Sequence, residues 1–311
     1  MLEMIRAELF KASRKKRTWV MIALSSLGSP LLQFISSAFV ASRVLGTVAD
    51  QGTTIATTLE QIASPFNMAR NTLAASSTLP FILLTVVAVF AVLLVGEERT
   101  FKMWKTILVA NPDRMQVLAA KFATGMILLF FVIFGGLIGS LLFGGLAMLL
   151  GYSKGAGGNW LELLAIHGLQ WLALAAPLMM GFLIAWLNAS PAIAVIGIVV
   201  APNVLEAIIS AGIASQLERI SPLNAPFQAE RIQELIQSVP KFFLTPNLAF
   251  GARLVGQAGR DLAGPDSAAI SGLLPTMNWN DIGWSIAVCG VYFALFTGLM
   301  VWSFGSRDVQ E

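Results

Sequence analysis

Six stretches of the chain, at about residues 18–40, 79–95, 119–150, 161–187, 191–213 and 282–304, are apolar over a length fit to cross a bilayer. A helix needs roughly 20 such residues to span the hydrocarbon core. The runs are continuous rather than alternating, which points to helices and away from a β-barrel. Composition agrees, since 56% of residues are hydrophobic and only 12% charged, against about 25% charged in an ordinary soluble domain. The expected fold is therefore an all-α integral membrane protein of six transmembrane helices, a single domain over residues 1–311. The third run is too long for a straight crossing and should tilt, bend near Gly135-Gly136, or begin below the membrane.

Basic residues set the orientation. Arg6, Lys11, Arg14, Lys15, Lys16 and Arg17 crowd the start, and Arg99, Lys102, Lys105, Arg114 and Lys121 follow the second run. Segments 41–76 and 151–160 carry few. The positive-inside rule places both termini and the 96–121 connection in the cytoplasm, with 41–76 and 214–281 outside. Residues 1–17 read as an amphipathic interfacial helix, with Leu2, Ile5 and Leu9 on one side and Glu3, Arg6, Lys11 and Arg14 mostly on the other. They do not read as a cleaved signal, because the basic region is too long and the apolar run is of span length. The outer segment 214–281 is broken by prolines. A helical stripe of Ile232, Leu235, Ile236 and Val239 within it stops at Pro240.

The connection after the second run is short and strongly charged. Phe101, Trp104 and Leu108 recur within it at helical spacing, with Trp104 offering the largest apolar surface to a partner. Asn111 and Pro112 then read as the N-cap and first residue of a new helix. Glu97 and Glu98 sit where the second span leaves the membrane and should hold the loop's angle through Arg99 or a partner's base. A structured basic loop of this kind suits docking of a soluble protein; an interfacial helix held by lipid headgroups fits the same pattern.

Polar groups inside the runs are few. Glu162, His167 and Gln170 fall in the fourth, Asn203 and Glu206 in the fifth. His167, Gln170, Asn203 and Glu206 are the candidate pathway residues, since polar side chains at membrane depth often mark one. A lone histidine bonded to a neighbouring helix is a plainer reading of His167 than a proton relay. The small-residue spacings Gly135-x-x-x-Gly139 and Ser140-x-x-x-Gly144 call only for close helix packing.

Much chemistry is excluded. No Gly-Lys-Ser/Thr phosphate loop occurs, the lone Cys289 allows no intrachain disulfide or cysteine metal cluster, and a zinc site or hydrolytic triad is hard to assemble from one histidine and one cysteine. The chain is expected to be no enzyme and to hold no cofactor of its own. The net charge of +3 suits anionic lipid or an acidic protein, and no nucleic-acid motif is present.

Residues 4–19, a basic amphipathic helix running into the first span, resemble the permease subunits of type-2 ABC exporters. So do Glu97-Glu98-x-Thr100, Ile107-Leu108, Pro112, Arg114 and Lys121, and the six-span layout. The short Asn188-Ala189-Ser190 connection departs from that pattern. The resemblance implies a multi-pass protein of a prokaryotic cytoplasmic (inner) membrane. It implies pairing with a second permease subunit, a homodimer or a related chain, and with separate ABC ATPase subunits that hold ATP and Mg. It makes 96–118 the coupling loop, with Glu97, Glu98, Thr100, Phe101, Trp104, Leu108, Pro112 and Arg114 as its residues. A pathway with little fixed charge suits an amphipathic peptide, drug or lipid. Two other functions fit the residues: an ion-driven secondary transporter, and a non-transporting scaffold or sensor that recruits a cytoplasmic partner.

Overall fold

The computed structural model describes residues 1–47, 64–78, 80–101, 103–110, 113–151, 159–188, 190–220, 238–248 and 279–306. Among these every regular element is helical and none is a strand. The stripe expected at 232–239 lies, but for Val239, outside the described residues.

Helix α1 (Leu2–Arg14) is separated from α2 (Lys16–Thr47) by Lys15 alone, whose extended backbone interrupts the helical path. Helices α3 (Pro65–Thr78) and α4 (Pro80–Ala91) lead into a π-helical segment, Val92–Gly96, all of whose residues are buried. Two short helices follow, α5 (Glu97–Thr100) and α6 (Trp104–Ala110), then the long α7 (Arg114–Leu149). The remainder comprises α8 (Trp160–Ala173), α9 (Ala175–Leu187), α10 (Pro191–Ile220), α11 (Leu244–Asn247) and α12 (Trp279–Ser306).

Among the described residues five helical segments are long and apolar enough to cross a membrane: Lys16–Ser36, Arg114–Leu149, Trp160–Leu187, Pro191–Ile213 and Trp279–Gly305. The chain is an integral membrane protein. The expected second span appears as α4 with its π-helical extension, Pro80–Gly96, buried along most of its length by its neighbours. The fourth run is divided at Leu174, because Pro177 has no N–H to give the turn before it.

The third run continues unbroken through Gly135-Gly136. It is one helix of 36 residues, about 54 Å at 1.5 Å per residue, longer than the hydrocarbon core. Its glycines make a packing face. A Cβ on Gly135 would sit 2.8 Å from the Ser26 Cβ, and one on Gly144 2.5 Å from the Pro65 Cα. Pro30 deprives the Ser26 carbonyl of its helical donor, and that carbonyl lies against Gly139, where a Cβ would come within 3.0 Å. Small residues thus let α2 and α3 approach α7 backbone to backbone, which is how helices associate where lipid competes for apolar contact.

Candidate functional site

The end of the bundle that carries α1 gathers the charges. Glu8 and Lys11 on α1 and Lys15 just past its end all face inward, contrary to the expectation that Lys11 lies on the polar outer side. Glu98, 1% exposed, pairs with Lys11 and with the Lys121 ammonium at 2.6 Å. Lys121, 0% exposed, also binds Glu8 Oε1 at 2.9 Å. Glu97 takes Lys15 on Oε2 at 2.6 Å and Arg17 on Oε1 at 2.9 Å. Lys15 Nζ further donates to the Leu93 carbonyl at 3.2 Å, inside the π-helical segment whose widened register opens carbonyls to outside donors. Burial lowers the Lys11 pKa below its ordinary 10.5, with Glu8 acting in the opposite sense.

These contacts form an ionic clasp. Three carboxylates and four cations join α1, the end of the second span and the base of α7. The expectation that Glu97 and Glu98 act through Arg99 or a partner's base is corrected. Their bases come from α1, α2 and α7 of the same chain, and Arg99 instead lies over the Trp186 ring at 5.5 Å. The sequence did offer a signal: a buried acidic pair needs cations, and the nearest dense supply is residues 11–17.

Trp104 is likewise corrected. Rather than facing a partner, its ring is 3% exposed. It meets Trp186 edge-on at 5.3 Å and Phe304 at 5.1 Å, with the Lys121 ammonium 5.3 Å from its centroid. An aromatic at a loop's helical stripe is drawn inward when an apolar socket lies below it, here between the ends of α9 and α12. Both neighbours were invisible to a local reading, being 82 and 200 positions away by number. Among the described loop residues the outward apolar side chains are Phe101, 69% exposed, and Val109, 86% exposed, with Met103 also exposed.

The other loop residues take structural places. Thr100 Oγ1 donates to the Gly96 carbonyl at 2.9 Å, and Arg114 donates to the Phe304 carbonyl at 3.2 Å, tying α7 to the end of α12. Leu108 lies on α6. Asn111 and Pro112 lie outside the described residues; the cap of α7 is Asp113, whose Oδ1 accepts from the Met115 and Gln116 amides at 3.0 and 3.1 Å.

The candidate pathway residues are not brought together. His167 is buried on α8, its Nδ1 2.8 Å from the Leu163 carbonyl of its own helix rather than a neighbouring one. Gln170, one turn on, is fully buried, and neither amide atom finds a partner among the described residues. Asn203 Nδ2 donates to Val199 O at 2.8 Å, within α10. Glu206 accepts the Thr245 amide at 3.1 Å and so caps α11 at the opposite end of the bundle from the clasp. No cluster of three His, Cys, Asp or Glu side chains suited to a metal occurs among the described residues.

A family model described as ABC-2 family transporter protein matches residues 4–201, well over half of the chain, and covers the clasp, the loop, α7, α8 and α9. No curated protein and no solved structure matches.

Proposed function

The chain belongs to the ABC-2 transporter family and is a multi-pass, non-catalytic membrane component of an ABC transporter; on that premise we propose that it is the permease of an ATP-driven exporter. Six helices cross a prokaryotic cytoplasmic membrane, with α1, the 96–118 loop and both termini in the cytoplasm. A second permease subunit completes the pathway, and separate ATPase subunits bind ATP and Mg.

The ionic clasp is the observation that supports this reading most. Force applied to a loop moves a span only if loop and span are one body. Here Glu97 and Glu98, at the root of the loop, are held to α1, α2 and α7 by ion pairs, and Trp104 is held to α9 and α12. The loop cannot swing freely while the spans stay still. Phe101 and Val109, left facing outward, are the docking contacts for the ATPase.

The test is to purify the tagged full chain from its native membrane and measure bound ATPase activity. Wild type should carry hydrolysis with it, and Phe101→Asp with Val109→Asp should lose most of it at unchanged permease level. No hydrolysis with wild type, or full hydrolysis with the double variant, overturns the assignment.

A further inference from the structure

A cleft of about 580 Å³ opens between α2, α3, α4, α7 and α8, away from the clasp. It falls within the roughly 300–1,000 Å³ range of small-molecule sites. Its walls are mostly apolar, and among the described residues no charged side chain lines it. Measured along α2 from Lys16, Ser25 to Gln33 stand about 14 to 26 Å up the helix at 1.5 Å per residue, so the cleft lies at the depth of the hydrocarbon core.

Polar groups are nevertheless aimed into it. The Ser25 and Ser29 hydroxyls, one helical turn apart, face the cleft and have no hydrogen-bond partner among the described residues. Gln33 accepts from Thr72 Oγ1 at 3.3 Å, and Thr72 in turn lies 2.8 Å from Ser140 Oγ. That chain occupies the Gln33 amide oxygen and leaves its NH₂ to the cleft. His167 is 2% exposed and also lines it. Its Nδ1 meets a carbonyl, which can only accept, so Nδ1 carries the proton and Nε2 is an acceptor. Among the described residues nothing answers that acceptor. Unpaired polar groups at this depth are costly, and acyl chains cannot relieve them.

We propose that this cleft binds an uncharged amphipathic molecule from the bilayer, its hydroxyl or amide head held by His167, Gln33 and Ser29. The head both donates, to His167 Nε2, and accepts, from the Gln33 amide and Ser29 hydroxyl. The apolar body lies against Leu32, Ile82 and Ile133. An ionic headgroup is disfavoured because no counter-charge stands among the described residues of the wall. The site lies within one subunit, and the inference requires only that the chain is membrane-embedded.

The experiment uses the full chain in phosphatidylcholine nanodiscs with a diazirine-bearing long-chain alcohol. The carboxylate of the same chain length serves as comparison. The alcohol should label α2 around Ser25–Gln33 and α7 around Val132–Leu137 saturably, and more than the carboxylate does. His167→Leu should lower the labelling about fivefold, the effect of one lost hydrogen bond. Gly28→Phe should abolish it, since Gly28 lines the cleft and a Cβ there meets only Leu24 Cδ1, at 3.9 Å, so the side chain is free to enter the cleft. Non-saturable labelling by both probes, stronger labelling by the carboxylate, or wild-type labelling of Gly28→Phe overturns the proposal. None of these readouts depends on ATP hydrolysis, so failure here leaves the exporter reading standing.

Discussion

Replacing Lys121 by methionine tests the clasp directly. The ammonium is fully buried between Glu8 and Glu98, at 2.9 and 2.6 Å. Methionine keeps most of the volume and removes the charge, so the loss is electrostatic. Taking one partner from a buried pair costs about 3–5 kcal/mol, because the other charge stays behind without compensation. Lys11 remains on Glu98, so the lower end, about 3 kcal/mol, is expected. Glu8 loses its only ion-pair partner among the described residues. Restoring neutrality should recover stability: in Lys121→Met with Glu98→Met the two losses should fall short of additive by about 1–3 kcal/mol. Arg17→Ala gives the contrast, since its side chain is 72% exposed on Glu97 and such pairs are worth about 1 kcal/mol or less. Unfolding by SDS titration in mixed micelles reads wild type, Lys121→Met, Glu98→Met, their double variant and Arg17→Ala through tryptophan fluorescence. Trp104 lies close enough to Lys121 to report on the site. A Lys121→Met cost no larger than that of Arg17→Ala, or strict additivity in the double variant, refutes the view that this network fastens α1 and α7 together.

Trp104→Ala should behave as a core deletion, costing about 3–5 kcal/mol in the same titration, whereas Phe101→Ala should leave stability within about 0.5 kcal/mol. Gly144→Ala should destabilise by about 1–3 kcal/mol, because its Cβ would fall 2.5 Å from the Pro65 backbone. Gly145→Ala meets nothing within 4 Å and should be neutral or stabilising by up to about 1 kcal/mol. For the proposed orientation, in a Cys289→Ser background, Thr54→Cys and Ser267→Cys should react with an impermeant maleimide in intact cells and Ser13→Cys should not. The opposite pattern inverts the topology.

The helices were legible because the bilayer demands them: an apolar run of 20 residues has few other ways to satisfy its backbone. Small-residue packing in the third run was legible for the same local reason. What escaped were features set by distant partners. A hydrophobic stripe assigns charge to the outer face, yet Glu8, Lys11 and Lys15 point inward because Glu97, Glu98 and Lys121 await them. The loop stripe placed Phe101 and Trp104 on one surface. A turn after Thr100, where Phe101 leaves helical geometry, puts one outward and the other inward. The π-helical segment shortly before it leaves no mark in composition, only an extra residue in the register of an apolar run. His167 was flagged for its chemistry, but its cleft could not be seen, because the serines and glutamine facing it lie about 130 residues earlier.

If an ATPase docks here as proposed, Trp104 also changes where specificity for it resides. Had its ring faced outward, one aromatic anchor could have supplied much of the docking energy. Buried against Trp186 and Phe304, it joins the loop to α9 and α12 instead. The clasp joins the loop's root to α1, α2 and α7 at the same end of the bundle. A partner seated on Phe101 and Val109 would therefore push on several helices at once. Losing either outward side chain should weaken the grip, while losing Trp104 or Lys121 should leave a grip on a loop that no longer carries the spans with it. The two classes of variant separate in one measurement: the first lowers the ATPase bound per permease, and the second leaves binding near wild type but decouples hydrolysis from transport. If Trp104→Ala and Phe101→Asp reduce bound ATPase equally in folded protein, the division between a docking surface and a force-carrying interior is wrong.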